Sequence, residues 1–268
     1  MEVSADIGIS DMSYPLTEPG KVSGSHPASP AEQYLDTTPD ETEYTLFALA
    51  LAVEQRDTIT AGHCERLALT SLILGTAMAL DRPSLLALYR GGYLHDVGKV
   101  GIPDSILFKP GRLTAQEWVV MRSHPLRGEE ICRHMSSLAT TLPVIRHHHE
   151  RWDGSGYPDG LRGNQIPLLA RVLQIADIYD ALTNPRPYKP AYEAKRAISI
   201  IEEETARGWR DPEIVDIFLN LHSTVIIKIT EYTNRTDRDL SALRGAIRNP
   251  DQILSPSAFP TSRGMRFA

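Results

Sequence analysis

The stretch Arg146–Gly160, RHHHERWDGSGYPDG, sets three histidines in succession and then breaks into a loop of glycine, aspartate and proline. Consecutive helical residues point about 100° apart, so three imidazoles in a row sweep too wide an arc to face one ion. Two neighbours can flank a pair of ions, or reach one ion near a helix end, and geometry alone leaves open which of the three is spare. The stretch implies helices that end in chemically active side chains and long Gly/Pro-rich connections between them.

Working outward, residues 45–57 (TLFALALAVEQRD) and 64–80 (CERLALTSLILGTAMAL) carry apolar positions at helical spacing. Asp81-Arg82-Pro83 then reads as a break and a new helix start. Helices are predicted for 84–95, 114–122, 126–135, 138–150, 168–183, 191–206 and 212–222. The segments VGKVGIPDS, KPGRLT and DGSGYPDGLRGNQIP read as loops between them. Strand-like texture is confined to one β-branched run, TVIIKITEY at 224–232. The expected fold is all-α, a helical bundle over residues 43–225. Residues 1–42, rich in Ser, Pro, Thr and acidic groups, read as a disordered leader. Residues 226–268 read as an extension with one amphipathic helix, DLSALRGAIRNP, and a loose tail; it could pack on the domain or mediate a homodimer.

Composition narrows the partners. Of 268 residues 41% are hydrophobic and 23% charged, enough to bury a core. A net charge of −6 argues against holding a long nucleic acid by bulk charge, but not against a small phosphate ligand. Cys64 and Cys132 have no CxxC partner and read as reduced packing residues. The N-terminus lacks the features of a signal peptide, and no run reaches 18 apolar residues. The expectation is a cytoplasmic protein with no membrane span.

His95 and Asp96 in YLHDVGK can give one imidazole to a cation and a carboxylate that reaches a second. A lone His-Asp pair is usually a surface feature. Here it keeps company with His63, His124, the run at 147–149 and Asp177, which could converge inside a bundle. Imidazole with carboxylate suits Fe, Mn, Zn or Ni, and the lack of cysteine ligands argues against a thiolate site.

These segments resemble the HD-GYP domains, a subgroup of the HD phosphohydrolases that hydrolyses the bacterial messenger cyclic di-GMP. The resemblance rests on HDVGKVGIPDSILFKPGRLT from His95, His124-Pro125, HHERWDGSGYPDGLRGNQIPLLARVLQIADIYDALT from His148, and RPYK at 186–189. It implies an HD-type bundle in which His63, His95, Asp96 and Asp177 hold one metal. Asp96 would bridge to a second held by His124, His148 and His149, with His147 outside the set. Iron or manganese is implied. Asp96 and Lys99 would be the catalytic pair, with Lys99 contacting the scissile phosphate or the bridging hydroxide; Tyr157, Arg186 and Lys189 would contact the ligand. Glu150 and Asp153 are expected to brace the loop and orient histidines, and Asp180 to stand behind the ligands or serve a third metal. Some members take a third metal through a glutamate four residues before the first histidine; Ile59 stands there, so two metals are expected.

The implied activity is metal-dependent hydrolysis of cyclic di-GMP to linear pGpG and onward to GMP in some members. A non-catalytic cyclic di-GMP receptor acting through a protein partner is the alternative, and a phosphohydrolase for another nucleotide a third. Diguanylate cyclases or other signalling proteins are the expected protein partners.

Overall fold

The computed structural model describes residues 41–56, 62–185, 190–233 and 253–254, all within one unit, Thr37–Ala268. The expected leader, Ile59, Arg186, Lys189 and the amphipathic segment at 239–250 lie outside the described residues. Among the described residues every element is a helix or a turn. The chain runs α1 (Glu41–Arg56), α2 (His63–Ala77), α3 (Arg82–Leu94), a 3-10 turn (Val97–Gly101) and a short α4 (Asp104–Leu107). It continues as α5 (Ala115–Met121), α6 (His124–Cys132), α7 (Leu142–His147), α8 (Leu168–Thr183), α9 (Ala194–Ala206) and α10 (Pro212–Thr233).

The central element is α2, buried at every position from His63 to Gly75 except Glu65. A helix apolar all round must be covered all round, and α1, α3, α8 and α10 cover it. Leu67 of α2, Val144 of α7 and Leu173 and Ala176 of α8 form one packed cluster. Burying such a leucine contributes about 2 kcal/mol. Phe47 of α1 stacks on Tyr93 at 4.7 Å and meets Tyr89 edge-on at 5.6 Å, fastening α1 to α3.

Local signals account for the boundaries. Asp81 caps α3, accepting from Ser84 N at 3.0 Å, ahead of a proline in the first turn. Thr114 and Glu117 form a reciprocal capping box at α5. Two sequence expectations fail. The helix predicted for 138–150 is only α7, because Pro143 suits a helix start and the preceding residues turn as 3-10 at Ser136–Leu138. The helix predicted for 212–222 runs on as α10 through the β-branched run at 224–232 to Thr233. The buried residues of that run, Val225, Lys228 and Tyr232, fall on one helical face while Ile226 and Ile227 point outward. Packing of that face against the bundle overrides the weak strand preference of branched side chains.

Candidate metal centre

Three of the histidines singled out by sequence sit just beyond helix C-termini, where carbonyls lack partners within the helix. His95 follows α3 and its Nδ1 donates to the Gly92 carbonyl at 3.2 Å. His124 follows α5 and donates to the Met121 carbonyl at 2.9 Å. His148 follows α7 and donates to the Ile145 carbonyl at 2.8 Å. A carbonyl only accepts, so each Nδ1 carries a proton, and in the neutral ring each Nε2 presents a lone pair. His63, at the start of α2, is turned the same way by Asp180, whose Oδ2 lies 2.7 Å from its Nδ1.

The lone pairs converge in two sets. Asp96, His124, His148 and His149 form one, and His63, His95 and Asp177 the other; within each set the donor atoms lie within 4.8 Å of one another. Asp96 joins them: Oδ1 is 3.1 Å from His124 Nε2 and 3.9 Å from His148 Nε2, while Oδ2 is 3.2 Å from His95 Nε2. Asp177 Oδ1 lies 3.8 Å from His63 Nε2. His147 points elsewhere, with its ring nitrogens on the Pro143 carbonyl and on Asp159 Oδ2.

The donor chemistry fits divalent cations. His124 Nε2 and His148 Nε2 face each other at 3.3 Å, an opposition of lone pairs that a shared positive centre relieves. His95 Nε2 and Asp96 Oδ1 are buried without a hydrogen-bond partner of sound geometry. Burial, reinforced by neighbouring imidazoles, holds His148 and His149 well below the usual histidine pKa, in the neutral form a metal needs. Burial alone would raise the Asp96 pKa, but Lys99, His95 and His124 outweigh it and hold the carboxylate ionised. Lys99 Nζ stands 2.9 Å from Asp96 Oδ2.

The turn between Asp96 and α4 is held from two sides. Gly98 runs so close to α6 that a Cβ there would lie 2.0 Å from the His124 carbonyl oxygen. Arg56, the last residue of α1, donates to the carbonyls of Lys99, Val100 and Ile102.

Other residues support the donors. Asp180 shares its carboxylate between His63 and Arg66, with Oδ1 2.5 Å from Arg66 Nε. Glu150 is fully buried and accepts from the backbone N–H of Asp159 and Leu161, so it braces the loop. Asp153 accepts from Ser155 N at 2.9 Å, a local turn contact. Neither carboxylate has a hydrogen bond to a histidine ring among the described residues, which corrects the expected orienting role. Gln174 of α8, missed by sequence reasoning, donates to the carbonyls of His148 and Glu150 and fixes the strand of chain between them. Glu54 of α1 was also missed: it accepts from His63 N at 2.8 Å and Cys64 N at 3.3 Å, capping α2 from outside its own sequence.

A cleft of about 290 Å3 opens onto His148, His149 and Asp177. Tyr157 lines it, stacked on His149 at 4.8 Å, and Gly156 lets its loop pass where a Cβ would lie 2.2 Å from Arg151 N. Arg122, Arg151 and Arg210 also line it, and none of the three was anticipated from sequence. They come from segments far apart in the chain, so only the fold brings them together. Among the described residues no helix is long and apolar enough to cross a membrane.

The bundle gathers histidines and carboxylates into two sets that could hold metal ions, and the chain belongs to the HD domain family, whose model matches residues 49–214. It is 40% identical over 177 residues to the cyclic di-GMP phosphodiesterase response regulator RpfG of Xanthomonas campestris, covering 65% of this chain and 47% of that protein. It is 40% identical over 204 residues to a cyclic di-GMP phosphodiesterase of Vibrio cholerae, covering 69% and 41%. The chain thus spans less than half the length of these relatives. The solved structure of a cyclic GMP-AMP specific phosphodiesterase of Vibrio cholerae matches with a TM-score of 0.56 at 18% identity, over 80% of this chain and 54% of that one, and shares its fold.

Proposed function

We propose that this chain is a phosphodiesterase of the HD-GYP type that uses two divalent metal ions, iron or manganese, to hydrolyse cyclic di-GMP to linear pGpG. The observation that carries the reading is one carboxylate, Asp96, reaching both donor sets with opposite oxygens. His63, His95, Asp96 and Asp177 would hold one ion, and Asp96, His124, His148 and His149 the other. When bound, such a pair activates water for in-line attack and offsets charge on the transferring phosphoryl group. Lys99 adds a fixed positive charge beside Asp96, where it can meet a non-bridging oxygen of the scissile phosphate. Tyr157, held flat on His149, offers a face for a guanine base. Arg186 and Lys189 are assigned the ligand contacts that the RPYK motif implies. With Ile59 in place of a glutamate, a third ion is not part of this scheme, and pGpG is the expected end product.

The test is to purify the protein anaerobically, measure its metal, and resolve the products from cyclic di-GMP and 3′3′-cGAMP by chromatography. Linear pGpG as the main product supports the reading. Preferential cleavage of cGAMP would reassign the substrate, and tight binding without turnover under iron and manganese loading would make the protein a receptor.

Asp180 acts through His63 in this scheme. Asp180→Asn, which keeps the shape but weakens the acceptor, is expected to lower metal affinity by about 10- to 100-fold. Chelator competition measures this, with unchanged helical circular dichroism as the control for folding. Unaltered affinity would remove Asp180 from the centre.

A further inference from the structure

Arg210 belongs to none of the segments that carry the family resemblance, yet it lines the cleft beside Asp177 and Arg151. The turn between α9 and α10 brings it there. Trp209 sits under Arg151, whose guanidinium carbon is 3.9 Å from the ring centroid. The Trp209 carbonyl also accepts from Trp152 N at 3.1 Å, so the turn is tied to the loop that carries Tyr157.

Arg210 is 8% exposed. Glu204 takes its Nε and one terminal nitrogen through a single oxygen, at 2.9 and 2.8 Å. The other terminal nitrogen has no hydrogen-bond partner among the described residues. Arg151 makes no ion pair among them either, and its one side-chain hydrogen bond is a long contact of 3.5 Å to Ser155 Oγ. Among the described residues Glu204 is the one carboxylate hydrogen-bonded to either guanidinium, while Asp177 of the same lining also acts on Arg210, so two guanidiniums with open donors face the cleft. Burial presses the Arg210 pKa downward and the Arg151 charge adds to it, against the opposing pull of Glu204 and Asp177. An anion in the cleft would meet those open donors, and the planar fork of guanidinium suits phosphate oxygens.

A cyclic dinucleotide brings two phosphodiesters. The donor sets and Lys99 address only the one being cleaved. We propose that Arg151 and Arg210 form a second phosphate subsite, which holds the phosphodiester that is not cleaved. The assignment rests on the phosphodiesterase reading and deepens it. Because the subsite reads phosphate rather than base, it serves cyclic di-GMP and cGAMP alike.

The test compares Arg151→Met and Arg210→Met with the unmodified protein on two substrates. Cyclic di-GMP has two phosphodiesters, whereas bis(p-nitrophenyl) phosphate has one. For cyclic di-GMP, KM is expected to rise by about 10- to 100-fold in each variant, since each loses a charge-assisted contact, with kcat near that of the parent. The kcat/KM for bis(p-nitrophenyl) phosphate is expected to hold, which also shows that the variants fold and keep their metal. Arg210→Lys, which keeps the charge beside Glu204, is expected to recover part of the loss. An unchanged KM for cyclic di-GMP, or an equal loss on both substrates, overturns the subsite. If the parent cleaves bis(p-nitrophenyl) phosphate but not cyclic di-GMP, the phosphodiesterase reading fails separately. Equilibrium binding of cyclic di-GMP then decides the subsite: weaker binding by the variants supports it and equal binding overturns it.

Discussion

Asp96→Ala is expected to abolish metal-dependent hydrolysis of cyclic di-GMP, by about 1,000-fold or more, and to lower the metal content of the purified protein. No other described side chain is placed as Asp96 is, with Oδ1 among His124 and His148 and Oδ2 beside His95. Its removal takes a negative donor from both sets at once and leaves Lys99 without that partner at 2.9 Å. Several kcal/mol of transition-state stabilisation are at stake where a metal pair is disrupted, and each 1.36 kcal/mol is a factor of about ten. Asp96→Asn separates charge from shape: it fills the same volume and is expected to fail almost as completely. Product chromatography and metal analysis on the same preparations check both statements. Full turnover by the alanine variant would mean that the two sets are not joined through this carboxylate in the working protein.

Lys99→Met is expected to separate metal binding from turnover. Lys99 is absent from both donor sets, and its backbone is clasped by Arg56 through the carbonyls of its own turn. The turn therefore holds when the ammonium is removed. A fixed positive charge aimed at a phosphoryl oxygen is worth about 100- to 1,000-fold in kcat, so the variant should lose that much while keeping its metal. The pair of variants makes a pattern that neither gives alone: Asp96→Ala loses ions and rate, Lys99→Met only rate. A lysine variant with normal kcat would reduce Lys99 to a counter-ion for Asp96.

The cluster was anticipated through the resemblance to the HD-GYP domains, since residue geometry alone left open which of the three successive histidines stands apart. His63, His95, Asp96, His124, His148, His149 and Asp177 all come together, and His147 turns away onto Asp159. The helices, too, were largely legible from apolar spacing. What local pattern could not supply is support from distant chain. Glu54 caps a helix that begins nine residues later, and Gln174 holds the backbone of His148 and Glu150 from another helix. Arg210 reaches the cleft from a distant turn whose Trp209 packs under Arg151. Charged and amide side chains of this kind look like ordinary surface residues until the fold surrounds them. The run at 224–232 misled for the opposite reason, since its branched residues advertise strand while its partners demand a helix.

The hooks from His95, His124 and His148 onto the ends of α3, α5 and α7 carry an electrostatic consequence. The C-terminus of a helix bears a fraction of an elementary negative charge, from peptide dipoles aligned along its axis. Each hook sets that negative end against an Nδ1–H, so the backbone itself holds the proton away from the Nε2 that a cation would meet. In the phosphodiesterase reading the Nε2 atoms are thereby kept for cations, while the arginine-lined cleft beside them meets the phosphates.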